Sequence, residues 1–206
     1  MPLKPSRFRT AARLAVPAAA ALTLTMALAS PASASPAFVA IINGRLTFTA
    51  LPGEVNTVTF DDFSAGTLRV TDTTSNLTAG PGCVGSGHTV ICAGPTDGVT
   101  RIVANLGDRN DTATNDTATL PGDMNGGPGQ DILVGGNGND RLTDPDGWGS
   151  TPGETTFVGR GGNDTIVSRN GGFDKISCGP GFDLVVADSA TLDTLVAGAQ
   201  CEFVQR

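Results

Sequence analysis

GGPGQDILV, residues 126–134, is followed directly by GGNGNDRLT, residues 135–143. Both nonapeptides follow the pattern G-G-x-G-x-D-x-U-x, in which U is a large apolar residue. The glycines permit a turn with positive φ and a close approach of neighbouring chains. The aspartate, Asp131 or Asp140, stands where the turn closes, and the apolar residue two positions later starts a short strand. Each nonapeptide therefore predicts a turn and half a coil, and two of them predict one coil of an all-β solenoid.

Less regular copies of this pattern lie on both sides of the pair. Three follow it, GRGGNDTIV (159–167), RNGGFDKIS (169–177) and CGPGFDLVV (178–186), and one precedes it, LGDRNDTAT (106–114). From the first exact copy onward, the aspartates at position six are separated by 9, 24, 10 and 9 residues. Because the step of 24 exceeds one repeat by fifteen residues, we interpret residues 144–158 as a loop inserted in the solenoid.

The same spacing predicts metal sites in the turns. Successive turns alternate sides, so a turn stacks on the turn two repeats later, about 4.8 Å away. Calcium–oxygen distances of about 2.3–2.6 Å would let one ion reach oxygens of both turns. The expected neighbours are Asp131 with Asp164, Asp140 with Asp174, and Asp164 with Asp183. The predicted ligands are the carboxylates of Asp131, Asp140, Asp164, Asp174 and Asp183, the backbone carbonyls of Gly127, Gly129, Gly136, Gly138 and Gly162, and Asp111 of the upstream copy.

Residues 126–186 resemble the hemolysin-type, or RTX, calcium-binding repeats of secreted bacterial proteins, and residues 106–114 match them weakly. The resemblance implies a right-handed parallel β-roll, Ca²⁺ shared between turns, and folding triggered by calcium outside the cell. The N-terminal leader described next differs from the C-terminal export signal of the toxins in this family, which argues against a cytolytic role. The chain is more similar to small exported calcium-binding proteins, for which the resemblance implies binding rather than a reaction.

Residues 1–34 have the features of a secretory signal peptide. Four basic residues precede an apolar stretch, and Ala32–Ser33–Ala34 is a small-residue cleavage site. We therefore predict a secreted, extracellular protein without a membrane span. These 34 residues hold four of the 13 Lys and Arg and none of the 20 Asp and Glu, so nine basic residues face 20 acidic ones in the remainder. Such a charge argues against nucleic acid as a partner.

Four cysteines in an exported chain predict two disulfides. Three pairings are possible, and we favour the two local ones, Cys83 with Cys92 and Cys178 with Cys201. The second bond would tie the last repeat to the C-terminal segment and close an end of the solenoid that would otherwise fray.

The repeats divide the chain into segments. Residues 35–104 alternate apolar and polar positions between turn signals such as Asn43–Gly44, which predicts short strands. They suit either a small antiparallel sandwich or an irregular run-in that caps the solenoid, and we favour the run-in because no linker precedes the repeats. Residues 105–186 are then the calcium-binding β-roll, and residues 187–206 a disulfide-tied cap.

The sequence favours binding over catalysis. His88 is the only histidine, and neither G-x-S-x-G nor H-E-x-x-H is present. The acids outside the predicted calcium ligands that could form a glycosidase pair have the character of solvated loop residues: Glu54, Asp61, Asp62 and Glu154. We expect a secreted calcium-binding protein that is not an enzyme. The alternatives are an adhesion module that binds an extracellular protein or polysaccharide through the N-terminal strands or near Trp148, and a carbohydrate-active enzyme.

Overall fold

The computed structural model describes residues 36–145 and 154–206. The predicted signal peptide and Trp148 lie outside these residues. The described chain is all-β, as predicted, and its 18 strands belong to one sheet. Two short 3-10 turns, Ser64–Gly66 and Pro95–Asp97, interrupt the strands. Within the described ranges, no helix has the length and apolar character needed to cross a membrane.

Apart from one strand of three residues, the first ten strands have four to six residues, and the later strands have two or three. The first seven are β1 (Ala37–Ile42), β2 (Arg45–Thr49), β3 (Thr57–Asp62), β4 (Leu68–Asp72), β5 (Leu77–Ala79), β6 (Cys83–Gly87) and β7 (Thr89–Cys92). The others are β8 (Arg101–Asn105), β9 (Thr112–Asp116), β10 (Gly122–Asn125), β11 (Ile132–Val134), β12 (Arg141–Thr143), β13 (Thr156–Val158), β14 (Thr165–Val167), β15 (Lys175–Ser177), β16 (Leu184–Val186), β17 (Thr194–Leu195) and β18 (Phe203–Gln205).

The N-terminal strands form antiparallel hairpins that continue into the repeats. Strand β1 pairs with β2 around Asn43–Gly44, where both residues have positive φ, as a two-residue hairpin turn requires. Strands β3, β4 and β7 are also antiparallel neighbours. Strand β2 then pairs in parallel with β8, and β3 with β9. The N-terminal segment and the repeats therefore share one hydrogen-bonded sheet.

From β8 onward, every strand pairs in parallel with the strand two positions later. This pairing produces an even column, β8, β10, β12, β14, β16 and β18, and an odd column, β9, β11, β13, β15 and β17. The central residue of each three-residue strand is in register with its neighbours. Leu142 pairs with Ile166, and Ile166 with Val185; Leu133 pairs with Phe157. All five are fully buried, so each column contributes a row of apolar side chains to the interior.

Strand β13 corrects the boundary of the predicted inserted loop. Thr156–Val158 lies within residues 144–158, yet it pairs with β11 on one side and with β15 on the other. Thr155 stands immediately before this strand, where the other copies have aspartate, and Phe157 is the buried apolar residue. This strand was missed because the repeats were identified by their aspartates.

Both predicted disulfides are confirmed. Cys83 is bonded to Cys92 across the neighbouring strands β6 and β7, and the two residues are register partners. Cys178 is bonded to Cys201, with a Cα–Cα distance of 5.3 Å. The second bond links the turn after β15 to the residues just before β18, so the last strand of the even column is covalently attached to the repeats.

Candidate metal centre

The position-six aspartates lie immediately before strands and are buried. The even column contains Asp140, Asp164 and Asp183, which precede β12, β14 and β16. The odd column contains Asp111, Asp131, Asp174 and Asp193, which precede β9, β11, β15 and β17. Each is at most 3% exposed. The strand register therefore arranges the predicted carboxylates in two separate files, one for each column.

Hydrogen bonds link the carboxylates of the even column into a ladder. The backbone N–H of Asp140 donates to Oδ1 of Asp164 at 2.8 Å, and the N–H of Asp164 donates to Oδ1 of Asp183 at the same distance. The N–H of Asp183 donates to Oε2 of Glu202 at 2.9 Å. One side-chain oxygen of Asp164, Asp183 and Glu202 thus binds the amide of the equivalent residue two strands earlier in the chain.

The odd column has the same arrangement with one substitution. The N–H of Asn56 donates to Oδ1 of Asp111 at 2.7 Å, and the N–H of Asp111 donates to Oδ1 of Asp131 at 2.8 Å. The N–H of Asp131 donates to Oγ1 of Thr155 at 3.2 Å, and the N–H of Thr155 donates to Oδ1 of Asp174 at 2.9 Å. A threonine hydroxyl therefore replaces one carboxylate of this ladder.

The hydrogen bonds of these ladders show which aspartates are neighbours. Asp164 stacks on Asp183, as expected. The other two expected pairs, Asp131 with Asp164 and Asp140 with Asp174, are wrong because each combines residues from different columns. The uncounted strand β13 shifted the assignment by one column.

The second carboxylate oxygen distinguishes some of these residues from ordinary structural acids. In Asp111, Asp164 and Asp183, Oδ2 is buried and accepts no hydrogen bond from the described residues. Burial raises the pKa of Asp111 and of Asp164 to about 7, and neighbouring carboxylates add to both shifts. None of the described basic side chains contributes to either shift. Asp140 differs, because its Oδ2 accepts the N–H of Gly136 at 2.6 Å.

The turn glycines bring backbone carbonyls against the next turn. A Cβ at Gly129 would lie 1.6 Å from the carbonyl oxygen of Arg109, and a Cβ at Gly162 would lie 2.1 Å from that of Gly138. A Cβ at Gly127, whose φ is +84°, would lie 2.1 Å from another turn carbonyl, that of Gly107. Stacked turns are thus in backbone contact. Carbonyl oxygens lie between them, in the segments that carry the aspartates.

The ligand atoms available beside the turns are of the chemical type that hard cations prefer. Every ladder side chain offers oxygen as its possible metal ligand, and hard cations such as Ca²⁺ bind carboxylate and backbone carbonyl oxygens. The described residues contain no group of three or more His, Cys, Asp and Glu side chains that could hold an ion. An ion here would therefore need backbone carbonyls in addition to carboxylates.

Several residues of the ladders were not predicted from the sequence. Asp193 and Glu202 continue the spacing after Asp183, in steps of 10 and 9 residues, but of the glycines that accompany the other copies only Gly198 is present. Oδ2 of Asp193 accepts bonds from the hydroxyl of Ser168 and from the N–H of Asp188. The regular step was the signal that could have identified both residues. Outside the ladders, Glu54 was expected to be a solvated loop acid, and this expectation is wrong because it is 2% exposed.

Comparisons of this chain with protein-family models, with characterised proteins and with solved structures give no match.

Proposed function

We propose that this chain is an exported calcium-binding protein in which Ca²⁺ binds between stacked turns and drives folding. The observation that carries the proposal is the pair of ladders of buried carboxylates beside turn carbonyls. Buried acids of this kind are costly unless they are protonated or neutralised by a positive charge. Asp111 and Asp164 have no described basic partner, so a bound cation is the natural source of that charge.

The proposed architecture is a right-handed parallel β-roll of the RTX type. Parallel pairing of every second strand supports it, because two strands and two turns then complete one coil. The buried apolar files of the two columns face the inside of such a coil. The glycine-rich turns place backbone carbonyls at its edges.

The residues that would hold Ca²⁺ are the ladder carboxylates and the carbonyls of the turns. They are Asp111, Asp131, Asp140, Asp164, Asp174 and Asp183, with the carbonyls of Gly127, Gly129, Gly136, Gly138 and Gly162. When bound, the ion supplies positive charge that offsets the repulsion between stacked carboxylates. The chain itself positions the ligands: Oδ1 of Asp164 and of Asp183 is fixed by an amide, which leaves Oδ2 for a ligand.

Calcium binding is expected to be coupled to folding. The ligands of one site come from turns that are adjacent only in the folded chain, so an ion that binds the native state stabilises it by mass action. The two disulfides suit the oxidising environment of an exported protein. The proposed activity is binding, and His88 serves the scaffold: its Nδ1 lies 2.7 Å from the carbonyl oxygen of Asp72.

A calcium titration of the oxidised protein tests the proposal. We expect the β signal in the far-ultraviolet circular dichroism spectrum to increase as Ca²⁺ is added. The dissociation constants should be about 10⁻⁴–10⁻³ M, as in extracellular calcium modules. Isothermal titration calorimetry gives the number of bound ions. The variant Asp164→Asn should bind fewer ions, because it removes a buried charge whose Oδ2 is available.

The matched control is Asp97→Asn, which removes an exposed carboxylate in the 3-10 turn Pro95–Asp97, outside both ladders. It should bind calcium as the unaltered protein does. A protein that is folded without calcium and binds none would refute the proposal. The ladders would then be purely structural, with protons taking the place of cations.

A further inference from the structure

One turn of the even column begins with a cysteine where the copy before it begins with a glycine. Residues 159–164 are GRGGND, and residues 178–183 are CGPGFD. The two turns are neighbours because the strands that follow them, β14 and β16, pair in parallel. Cys178 therefore occupies the position of Gly159. It is 0% exposed, and its sulfur is bonded to Cys201.

Backbone contacts show how closely these two turns stack. A Cβ at Gly179 would lie 1.7 Å from the carbonyl oxygen of Arg160. A Cβ at Gly181 would lie 1.6 Å from that of Gly162. The turn that begins at Cys178 therefore covers the preceding turn of the column, and a displacement of one turn changes what the other one contacts.

The carbonyl oxygen of Cys178 and Oδ2 of Asp164 converge on one point. A Cβ at Gly159 would lie 2.4 Å from each of them, so the two oxygens are at most twice this distance, 4.8 Å, apart. Oδ2 of Asp164 is buried and accepts no hydrogen bond from the described residues. Calcium–oxygen distances of about 2.3–2.6 Å allow one ion to bridge two oxygens at such a separation.

The same geometry recurs one turn earlier in the even column. A Cβ at Gly135 would lie 2.5 Å from Oδ2 of Asp140 and 2.6 Å from the carbonyl oxygen of Gly159. Oδ2 of Asp140, however, accepts the N–H of Gly136 at 2.6 Å. Of the two carboxylates, the one whose oxygen lacks a hydrogen-bond donor is therefore Asp164, and its neighbouring carbonyl belongs to the disulfide-bonded cysteine.

The C-terminal segment holds Cys178 from the other side. The N–H groups of Cys178 and Gly179 both donate to the carbonyl of Ala199 at 2.9 Å. The disulfide attaches Cys178 to Cys201, just before β18. Among the described strands, β18 pairs only with β16. Because this segment has few other attachments, the covalent bond limits the movement of the Cys178 carbonyl.

We propose that the Cys178–Cys201 disulfide preorganises the calcium site at Asp164 and couples its affinity to the oxidation state of the two cysteines. With the bond intact, the Cys178 carbonyl is held beside Oδ2 before an ion binds, which lowers the entropy cost of binding. A dithiol reductant gives two electrons and two protons to the bond, which becomes two thiols, and is itself oxidised to a disulfide. The carbonyl is then free to move, and the site binds calcium more weakly. The inference rests on the proposed function.

Thermodynamic linkage makes this effect reciprocal. If the bond raises the calcium affinity by a given factor, calcium shifts the thiol–disulfide equilibrium of the same bond toward the disulfide by that factor. A factor of about ten lies within the usual range of such couplings. The Cys83–Cys92 bond is an internal control, because it joins β6 and β7, which carry none of the ladder aspartates.

Thiol titration of the unaltered protein tests the coupling. The oxidised protein is equilibrated with mixtures of reduced and oxidised dithiothreitol, with saturating Ca²⁺ or with a chelator. Alkylation and mass spectrometry then give the reduced fraction of each bond. We expect calcium to shift the midpoint of Cys178–Cys201 about tenfold further than that of Cys83–Cys92. Protection that comes from folding of the whole chain reaches both bonds, so equal shifts overturn the inference.

The variant Asp164→Asn identifies the site that is responsible. It removes the buried charge, so the additional shift at Cys178–Cys201 should disappear. In Asp97→Asn, which alters an exposed carboxylate outside the ladders, the additional shift should remain. If Asp164→Asn retains it, the bond is not coupled to this site and the inference is refuted.

Calorimetry separates the coupling from the calcium function as a whole. The double variant Cys178→Ser/Cys201→Ser should bind the same number of ions as the unaltered protein, one of them about tenfold more weakly. If its affinities are unchanged while Asp164→Asn lowers the stoichiometry, the coupling is refuted and the proposed function stands. If the unaltered protein binds no calcium, both are refuted. If the double variant does not fold, the thiol titration of the unaltered protein decides.

Discussion

At the scale of single residues, the glycines of the nonapeptide are required for two different reasons. Gly127 has a φ of +84°, a conformation that side chains with Cβ adopt at a cost. Gly129 is needed for space, because a Cβ there would meet the carbonyl oxygen of Arg109 at 1.6 Å. Arg109 itself has a φ of +95°. The backbone at this position of the upstream copy is thus left-handed like that of the equivalent Gly162, whose φ is +114°, whereas Gly129 is not among the residues with positive φ.

Gly129→Ala tests whether turn stacking depends on this contact. The new methyl group would collide with backbone, which no rotamer change can relieve, so we expect a loss of about 3 kcal/mol in the free energy of unfolding. Urea denaturation at fixed calcium measures it. Gly53→Ala is the control: its φ is +83° but its Cβ would meet nothing within 4 Å, so only about 1 kcal/mol of backbone strain is expected. Equal effects would contradict a packing role for Gly129.

At the scale of elements, sequence predicted the strands where turn and apolar residue occur together. Strands β11 and β12 follow directly from the paired nonapeptides, in which Leu133 and Leu142 are the buried residues. Strand β13 was missed because Thr155 replaces the aspartate while Phe157 keeps the apolar position. Either residue can accept the backbone amide of the equivalent residue two strands earlier, as Thr155 does from Asp131, so the backbone register tolerates a substitution that conceals the repeat.

The candidate site was predicted less completely than the strands. Position-six aspartates are visible in the sequence, but their neighbours depend on a correct count of the strands between them, which the substitution at Thr155 disrupted. Asn56 carries no local signal, because it is brought to Asp111, 55 residues away in the chain, by the parallel pairing of β3 with β9. Such a contact is a property of the sheet rather than of any short motif.

The disulfide at the C-terminal end should stabilise the last strand of the even column. In the chain-entropy model, removal of the Cys178–Cys201 bond, which spans 23 residues, costs about 3 kcal/mol. The double variant Cys178→Ser/Cys201→Ser should therefore unfold at lower urea concentration. It should also exchange the amide of Phe203, which donates to the carbonyl of Asp183, faster in deuterium. The double variant Cys83→Ser/Cys92→Ser should not accelerate that exchange. If it does, the effect of the Cys178–Cys201 bond on β18 is not a local one.

At the scale of the whole molecule, a large share of the negative charge is inside. The chain has 20 Asp and Glu residues, and seven of them, the position-six aspartates, are nearly inaccessible to solvent. Charge that is buried in stacked files is screened little by salt. Protons or calcium ions can neutralise this buried charge. Because protonation is favoured at low pH and calcium binding at high pH, the stabilities of the calcium-free and calcium-bound proteins should change with pH in opposite directions.

The pH dependence of stability follows from the raised pKa values of Asp111 and Asp164, both about 7 in the folded chain. An unfolded aspartate has a pKa of about 3.9. Between these values the folded state binds more protons than the unfolded state, so stability falls as the pH rises from about 4 to 7. With a chelator present, we expect a higher urea midpoint at pH 5 than at pH 8.

Saturating calcium should reverse this order, because the ligands must be ionised to bind the metal and binding releases their protons. The double variant Asp111→Asn/Asp164→Asn provides the control. It cannot titrate at either position, so its calcium-free midpoint should change less between pH 5 and pH 8. A calcium-free midpoint that rises with pH in the unaltered protein would show that these carboxylates are ionised and stabilised by the fold itself, and that the ladders do not depend on a cation.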